Sequence, residues 1–157
     1  SNTTGIQNVA VGYQALNANT TGIQNVAVGY LSLASNTTGT NNTAVGAGAL
    51  YYNTTGVTNS AVGYYALNQN VSGNDNTAMG LFALRVNTAS NNTAFGSSAL
   101  RSNTTGTPND AFGFQALYSN TTGYNNVAVG AQALQSNTIG TSCSADRKST
   151  RLNSSHT

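Results

Sequence analysis

Charge is nearly missing from this chain of 157 residues: 5% are charged, with Lys and Arg together numbering 5 and Asp and Glu together 3, beside a single His. Before residue 146 the charged side chains are Asp75, Asp110, Arg85 and Arg101, with no Lys, Glu or His at all. Acid–base catalysis and metal catalysis draw on those residue types, so the composition points away from an enzyme and from any metal or cofactor. The formal net charge of +2 comes from Asp146, Arg147, Lys148 and Arg151, which leaves no basic face for nucleic acid elsewhere. A single cysteine, Cys143, excludes a disulfide framework within the chain. Apolar runs are only a few residues long, far short of the roughly 18 that a transmembrane helix takes, so no membrane insertion is expected. Polar chains of low hydrophobicity are often disordered, but disorder of that kind is rich in charge and poor in β-branched residues.

What the sequence has instead is 24 Asn, 23 Thr and 17 Gly, and they recur in step. Asparagine stands at Asn2, Asn19, Asn36, Asn53, Asn70, Asn87, Asn103, Asn120 and Asn137, a spacing of 17 broken once by a 16 after Asn87. The unit reads roughly Asn-Thr-Thr-Gly-x-x-Asn-x-Ala-Val-Gly-x-x-Ala-Leu-x-x. A second asparagine column holds Asn8, Asn25, Asn42, Asn59, Asn76, Asn92, Asn109 and Asn126; alanine follows two residues later and glycine two after that. Leucine closes each unit, at Leu16, Leu33, Leu50, Leu67, Leu84, Leu100, Leu117 and Leu134.

Each copy holds too little apolar surface to fold alone, which is the mark of a stacked array. Leucine every 17 residues forms no stripe at helical spacing, and two fixed glycines oppose a helix. Asn-Thr-Thr-Gly is turn chemistry, while Asn-x-Ala-Val-Gly alternates like a short strand. The expected fold is therefore all-β: a parallel β-solenoid, a β-helix or β-roll, of about eight 17-residue coils spanning residues 1–145. At about 4.8 Å per coil it would be a rod of roughly 40 Å.

Alternation places Asn8, Ala10 and Gly12 on one side of the strand and residues 9, 11 and 13 on the other. The first side is small and invariant from copy to copy, which suits a thin interior where stacked asparagines bond from coil to coil as amide ladders do. The Asn8 column is the expected ladder and the Leu16 column the expected apolar filling. The opposite side carries an apolar column of Val11, Val28, Val45, Val62, Met79, Phe95, Phe112 and Val129, with Tyr13, Tyr30, Tyr64 and Phe114 beside it. An apolar stripe of that length on a monomer is a large exposed patch, so these residues are candidate subunit contacts. The sixth copy lacks one residue in its turn, where Asn87-Thr88-Ala89-Ser90 has no glycine, and the strand columns resume in register after it.

Register persists through Ala145, in the alanine column 17 after Ala128, and then ends. Asp146 to His156 resembles a translated short-read sequencing adapter, residue for codon, so residues 146–157 are expected to be a non-native, disordered tail and residues 1–145 a fragment open at both ends.

The Asn8-Val9-Ala10-Val11-Gly12 units and their copies resemble the head repeats of trimeric autotransporter adhesins, which are left-handed parallel β-rolls, and still more the longer repeats of phage and virus-like tail fibres. The resemblance covers residues 1–145. It implies a homotrimer, an extracellular place on a cell surface or virion fibre, and a host-surface receptor or glycan as the further partner.

Other candidates are weighed against plainer readings. Asp75 and Asp110 occupy different repeat positions about two coils apart, which suits solvated residues better than a carboxylate pair. Cys143 sits in the Asn8 column with no His near it, and calcium-binding repeats need Asp that this repeat lacks. Triplets such as Asn2-Thr3-Thr4 match a glycosylation acceptor, but one repeated turn generates them all. Arg85 and Arg101, on successive coils, are candidates for an acidic ligand; Tyr51, Tyr52, Tyr64, Tyr65 and Tyr118 are candidates for stacking on sugars or for packing. The expected function is a non-catalytic structural or adhesive shaft or head segment. The alternative is an ice-binding or carbohydrate-binding solenoid, the former resting on the rank Thr3, Thr20, Thr37 and Thr54.

Overall fold

The computed structural model describes residues 2–146. Its strands are β1 (Val9–Val11), β2 (Val26–Val28), β3 (Thr43–Val45), β4 (Ser60–Val62), β5 (Thr77–Met79), β6 (Asn92–Phe95), β7 (Asn109–Phe112), β8 (Asn126–Val129) and β9 (Ser144–Asp146). They form one parallel sheet in chain order. Val9 lies opposite Val26 and Val26 opposite Thr43, an offset of one repeat at each step. At the short sixth copy Thr77 pairs with Thr93 and the register is otherwise kept. The chain is thus a parallel β-solenoid of about eight coils, with no helix among the described residues. Of the tail expected to be disordered over 146–157, Asp146 instead closes β9 opposite Val129, and the remainder lies outside the described residues.

The strands are short because the backbone is turned at both ends. Just before every strand except β7, which Pro108 precedes, a residue sits in the left-handed region, as at Gln7, Gln24 and Asn41 with φ of 58°, 57° and 57°. Just after it comes a glycine such as Gly63, whose φ of 137° suits only glycine, and a Cβ there would lie 2.4 Å from the Gly80 carbonyl oxygen of the next coil. The glycine column therefore does not line the interior as alternation implies. It bends the chain, and most of its members are partly exposed.

After that bend two further left-handed residues follow, the second being the leucine of each coil, with φ near 50° at Leu50 and Leu117. A left-handed non-glycine residue costs on the order of 1–2 kcal/mol. Leu33, Leu50, Leu67, Leu84, Leu100 and Leu117 are completely buried in return, and full burial of a leucine stabilises by about 1.5–3 kcal/mol. The corner also gains coil-to-coil bonds, since the Leu33 N–H donates to the Ala49 carbonyl at 3.0 Å and the Leu50 N–H to the Ala66 carbonyl at 3.0 Å. Leu134 is only partly buried and packs against the edge of this core.

The core is a narrow column. Strand alanines from Ala27 to Ala128 and corner alanines such as Ala49, Ala66 and Ala83 fill it around the leucines. Small residues are required there because each coil approaches the next at the spacing of paired strands.

Candidate functional site

Two asparagine ladders run through the interior. In the Asn8 column each side-chain oxygen accepts from the next coil: the Asn42 N–H and Nδ2 donate to Asn25 Oδ1 at 3.0 and 3.2 Å, and those of Asn59 to Asn42 Oδ1 at 3.0 and 3.2 Å. The same Nδ2 also donates across the coil, as Asn42 does to the Gly56 carbonyl at 2.8 Å. The first asparagine column, which its composition assigns only to a turn, forms a second ladder. Asn36 Nδ2 donates to Asn19 Oδ1 and Asn53 Nδ2 to Asn36 Oδ1, both at 2.9 Å, and each also closes its own turn on a glycine carbonyl. Complete burial makes this bonding obligatory, because an unpaired buried amide costs about 1–3 kcal/mol.

The short sixth coil interrupts both ladders. Asn87 turns its Nδ2 onto the Ala89 carbonyl at 2.7 Å, and Asn70 Oδ1 is left buried without a partner. Asn92 keeps its backbone bond to Asn76 Oδ1 at 3.0 Å but directs its Nδ2 to Asn87 Oδ1 at 3.3 Å. Beyond it Asn109 Nδ2 reaches Asn92 Oδ1 at 3.4 Å and the Asn126 N–H reaches Asn109 Oδ1 at 3.1 Å. Cys143 takes the next place in the column through its N–H, which donates to Asn126 Oδ1 at 2.9 Å. Its thiol is free and partly exposed.

Outside the strands runs the apolar column. Val11, Val45, Met79, Phe95, Phe112 and Val129 are exposed, while Val28 and Val62 are half-buried. Parallel pairing places Met79 opposite Phe95 and Phe95 opposite Phe112. The two phenylalanine rings stack at 5.5 Å between centroids, and in the neighbouring column Tyr13 and Tyr30 stack at 5.4 Å. Asp110 lies on this face in β7; Asp75 is an exposed turn residue with φ 55°, and the fold does not bring them together as neighbours in register.

Past the strand, one corner gathers Tyr51, Tyr52, Tyr64, Tyr65 and Tyr118 with both arginines. Tyr51 meets Tyr52 edge-on at 4.5 Å, and Tyr64 meets Tyr65 at 4.5 Å. Phe82 packs against Tyr64 at 5.6 Å and receives both guanidinium groups, Arg85 at 5.3 Å and Arg101 at 5.2 Å from its centroid. Arg101 also donates to the Tyr118 hydroxyl at 2.7 Å. The repeat columns explain this gathering: Tyr65 and Phe82 share one position on successive coils, and Tyr51, Asn68, Arg85, Arg101 and Tyr118 share another.

The threonine rank serves the stack itself. The hydroxyls of Thr3, Thr20 and Thr37 donate to the carbonyls of Thr20, Thr37 and Thr54 at 2.8, 3.0 and 3.1 Å. Among the described residues no group of three or more His, Cys, Asp and Glu is assembled, and no helix is long and apolar enough to cross a membrane. Comparison with protein-family models, with curated proteins and with solved structures returned no match.

Proposed function

We propose that this chain is a structural and adhesive shaft or head segment of an extracellular fibre, of the kind found in trimeric surface adhesins and phage-like tail fibres, and that it works as a homotrimer. The observation that carries the reading is the exposed apolar column from Val11 to Val129, continuous along the strand ladder of a body whose interior is already complete. Exposed valines, methionine and stacked phenylalanines in one line are what a subunit contact buries. Mechanical continuity comes from the coil-to-coil bonds of the backbone and of both asparagine ladders, all aligned with the axis. The threonine rank fits the same role, because its hydroxyls are spent on the next coil instead of forming a free plane.

Sedimentation equilibrium of the full chain tests the proposal. A mass three times the 16.0 kDa of one chain is expected, falling to that of one chain in the double variant Phe95→Ser, Phe112→Ser with its circular dichroism retained. A wild-type chain that stays a compact monomer at about 100 µM, a concentration at which even a micromolar contact would be largely formed, would refute the trimeric shaft.

A further inference from the structure

The aromatic corner has a notch, and its origin lies in the repeat. On the third coil Ala47 and Gly48 stand where the second coil carries Tyr30 and Leu31 and the fourth carries Tyr64 and Tyr65. Two small residues between two pairs of large ones leave a groove of about 430 Å³ whose lining includes five tyrosines and Arg85. That volume falls inside the roughly 300–1,000 Å³ usual for small-molecule sites. Gly48 has φ 66°, yet the same column holds Gln14, Gln115 and Gln132 at 52°, 55° and 61°. Backbone conformation therefore does not call for glycine here. A side chain at Gly48 would instead meet the ring of Tyr65, whose nearest carbons would lie 3.2 Å from its Cβ.

Arg85 supplies the chemistry. It forms no ion pair among the described residues, and its Nε is buried without a hydrogen-bond partner. The Nε is enclosed by the chain itself, while the terminal nitrogens of the same group are neither buried nor hydrogen-bonded, and that pair takes a planar anion through two parallel bonds. Arg101 differs, being already engaged by Tyr118. One unpaired guanidinium matches the single charge and planar fork of a carboxylate better than a doubly charged phosphate. Tyrosine faces provide flat apolar surface with hydroxyls at the rim, suited to the C–H faces and hydroxyls of a sugar ring.

We infer that the notch over Ala47 and Gly48 is a binding groove for a carboxylated saccharide, a uronic or sialic acid residue whose carboxylate pairs with Arg85 and whose ring lies against Tyr64 and Tyr65. The inference deepens the adhesive half of the proposed function and rests on it. It belongs to a single chain, so the mass measurement and the sugar measurement fail separately.

The test is calorimetric and saturation-transfer titration of the full chain with trigalacturonate, a hyaluronan tetrasaccharide and 3′-sialyllactose, each beside its carboxyl-reduced form. At least one acidic sugar is expected to bind, with its reduced form at least tenfold weaker. Gly48→Gln, which fills the notch with a residue its column already carries, is expected to abolish that binding, and Arg85→Gln to weaken it at least tenfold, with circular dichroism unchanged in both. No binding by any of the three acids, equal binding of acid and reduced forms, or binding indifferent to both substitutions would overturn the inference.

Discussion

Single residues carry this fold through columns, so the cost of a substitution depends on how many neighbours share its bonds. Asn59 accepts from the Asn76 N–H and Nδ2 and donates to Asn42 Oδ1 and to the Gly73 carbonyl. Asn59→Leu keeps the side chain near its original length but strands polar groups on both adjacent coils, each worth about 1–3 kcal/mol when buried. A loss of about 3 kcal/mol or more in urea unfolding is expected, whereas Thr55→Ala, at an exposed turn position, should change it by less than about 0.5 kcal/mol. Gly63→Ala is the backbone counterpart. The bend at φ 137° and the Gly80 carbonyl at 2.4 Å from any Cβ forbid it, so a soluble, fully folded Gly63→Ala protein of unchanged unfolding midpoint would contradict the account of the strand end. The same periodicity that makes these columns legible in the sequence hides one thing. Nothing in the residue type announces a leucine at φ 50°, because leucine avoids that region until burial and the coil-to-coil bond offset its cost.

At the level of the coil, strand position and register are readable from spacing alone, since Ala10 and its copies fall every 17 residues and the parallel pairs follow them. The second ladder is not, because Asn-Thr-Thr-Gly has the composition of a turn and its asparagine does close one; only stacking shows that the same amide also bonds to the next coil. The groove is hidden for a related reason, since Ala47 and Gly48 are ordinary residues alone and matter through what flanks them one coil away. The sixth coil is where the element-scale argument becomes testable. Its deletion leaves Asn70 Oδ1 buried and unpaired. Inserting Thr after Thr88 and replacing Ala89 by Gly restores the full Asn-Thr-Thr-Gly turn, which returns an amide to Asn70. We expect a gain of about 1–2 kcal/mol in urea unfolding, with slower amide hydrogen exchange in the coils on either side of Asn87. An unchanged or lowered midpoint would mean that the short turn has repacked without cost.

At the scale of the whole stack, the stabilising terms among the described residues are apolar burial and hydrogen bonds between neutral groups. Stability varies with pH only where folded and unfolded chains bind different numbers of protons. Over residues 2–145 the charged side chains are Asp75 and Asp110 beside Arg85 and Arg101, and none of them is joined in an ion pair among the described residues. Screening acts on charge pairs, and among the described residues there are none to weaken. The proposed subunit contact is equally poor in charge, since its column is valine, methionine and phenylalanine, with the carboxylates of Asp110 on the same face and of Asp146 at the column's end. Urea unfolding is therefore expected to shift by less than about 0.5 kcal/mol between about pH 5 and 9, since among the described residues there is no carboxylate–cation pair to lose. The sedimenting mass should likewise be the same in about 10 mM and about 1 M sodium chloride, because apolar burial is not screened. Dissociation at high salt would show that charge, not the stripe from Val11 to Val129, holds the copies together, and Asp110→Asn would then locate it.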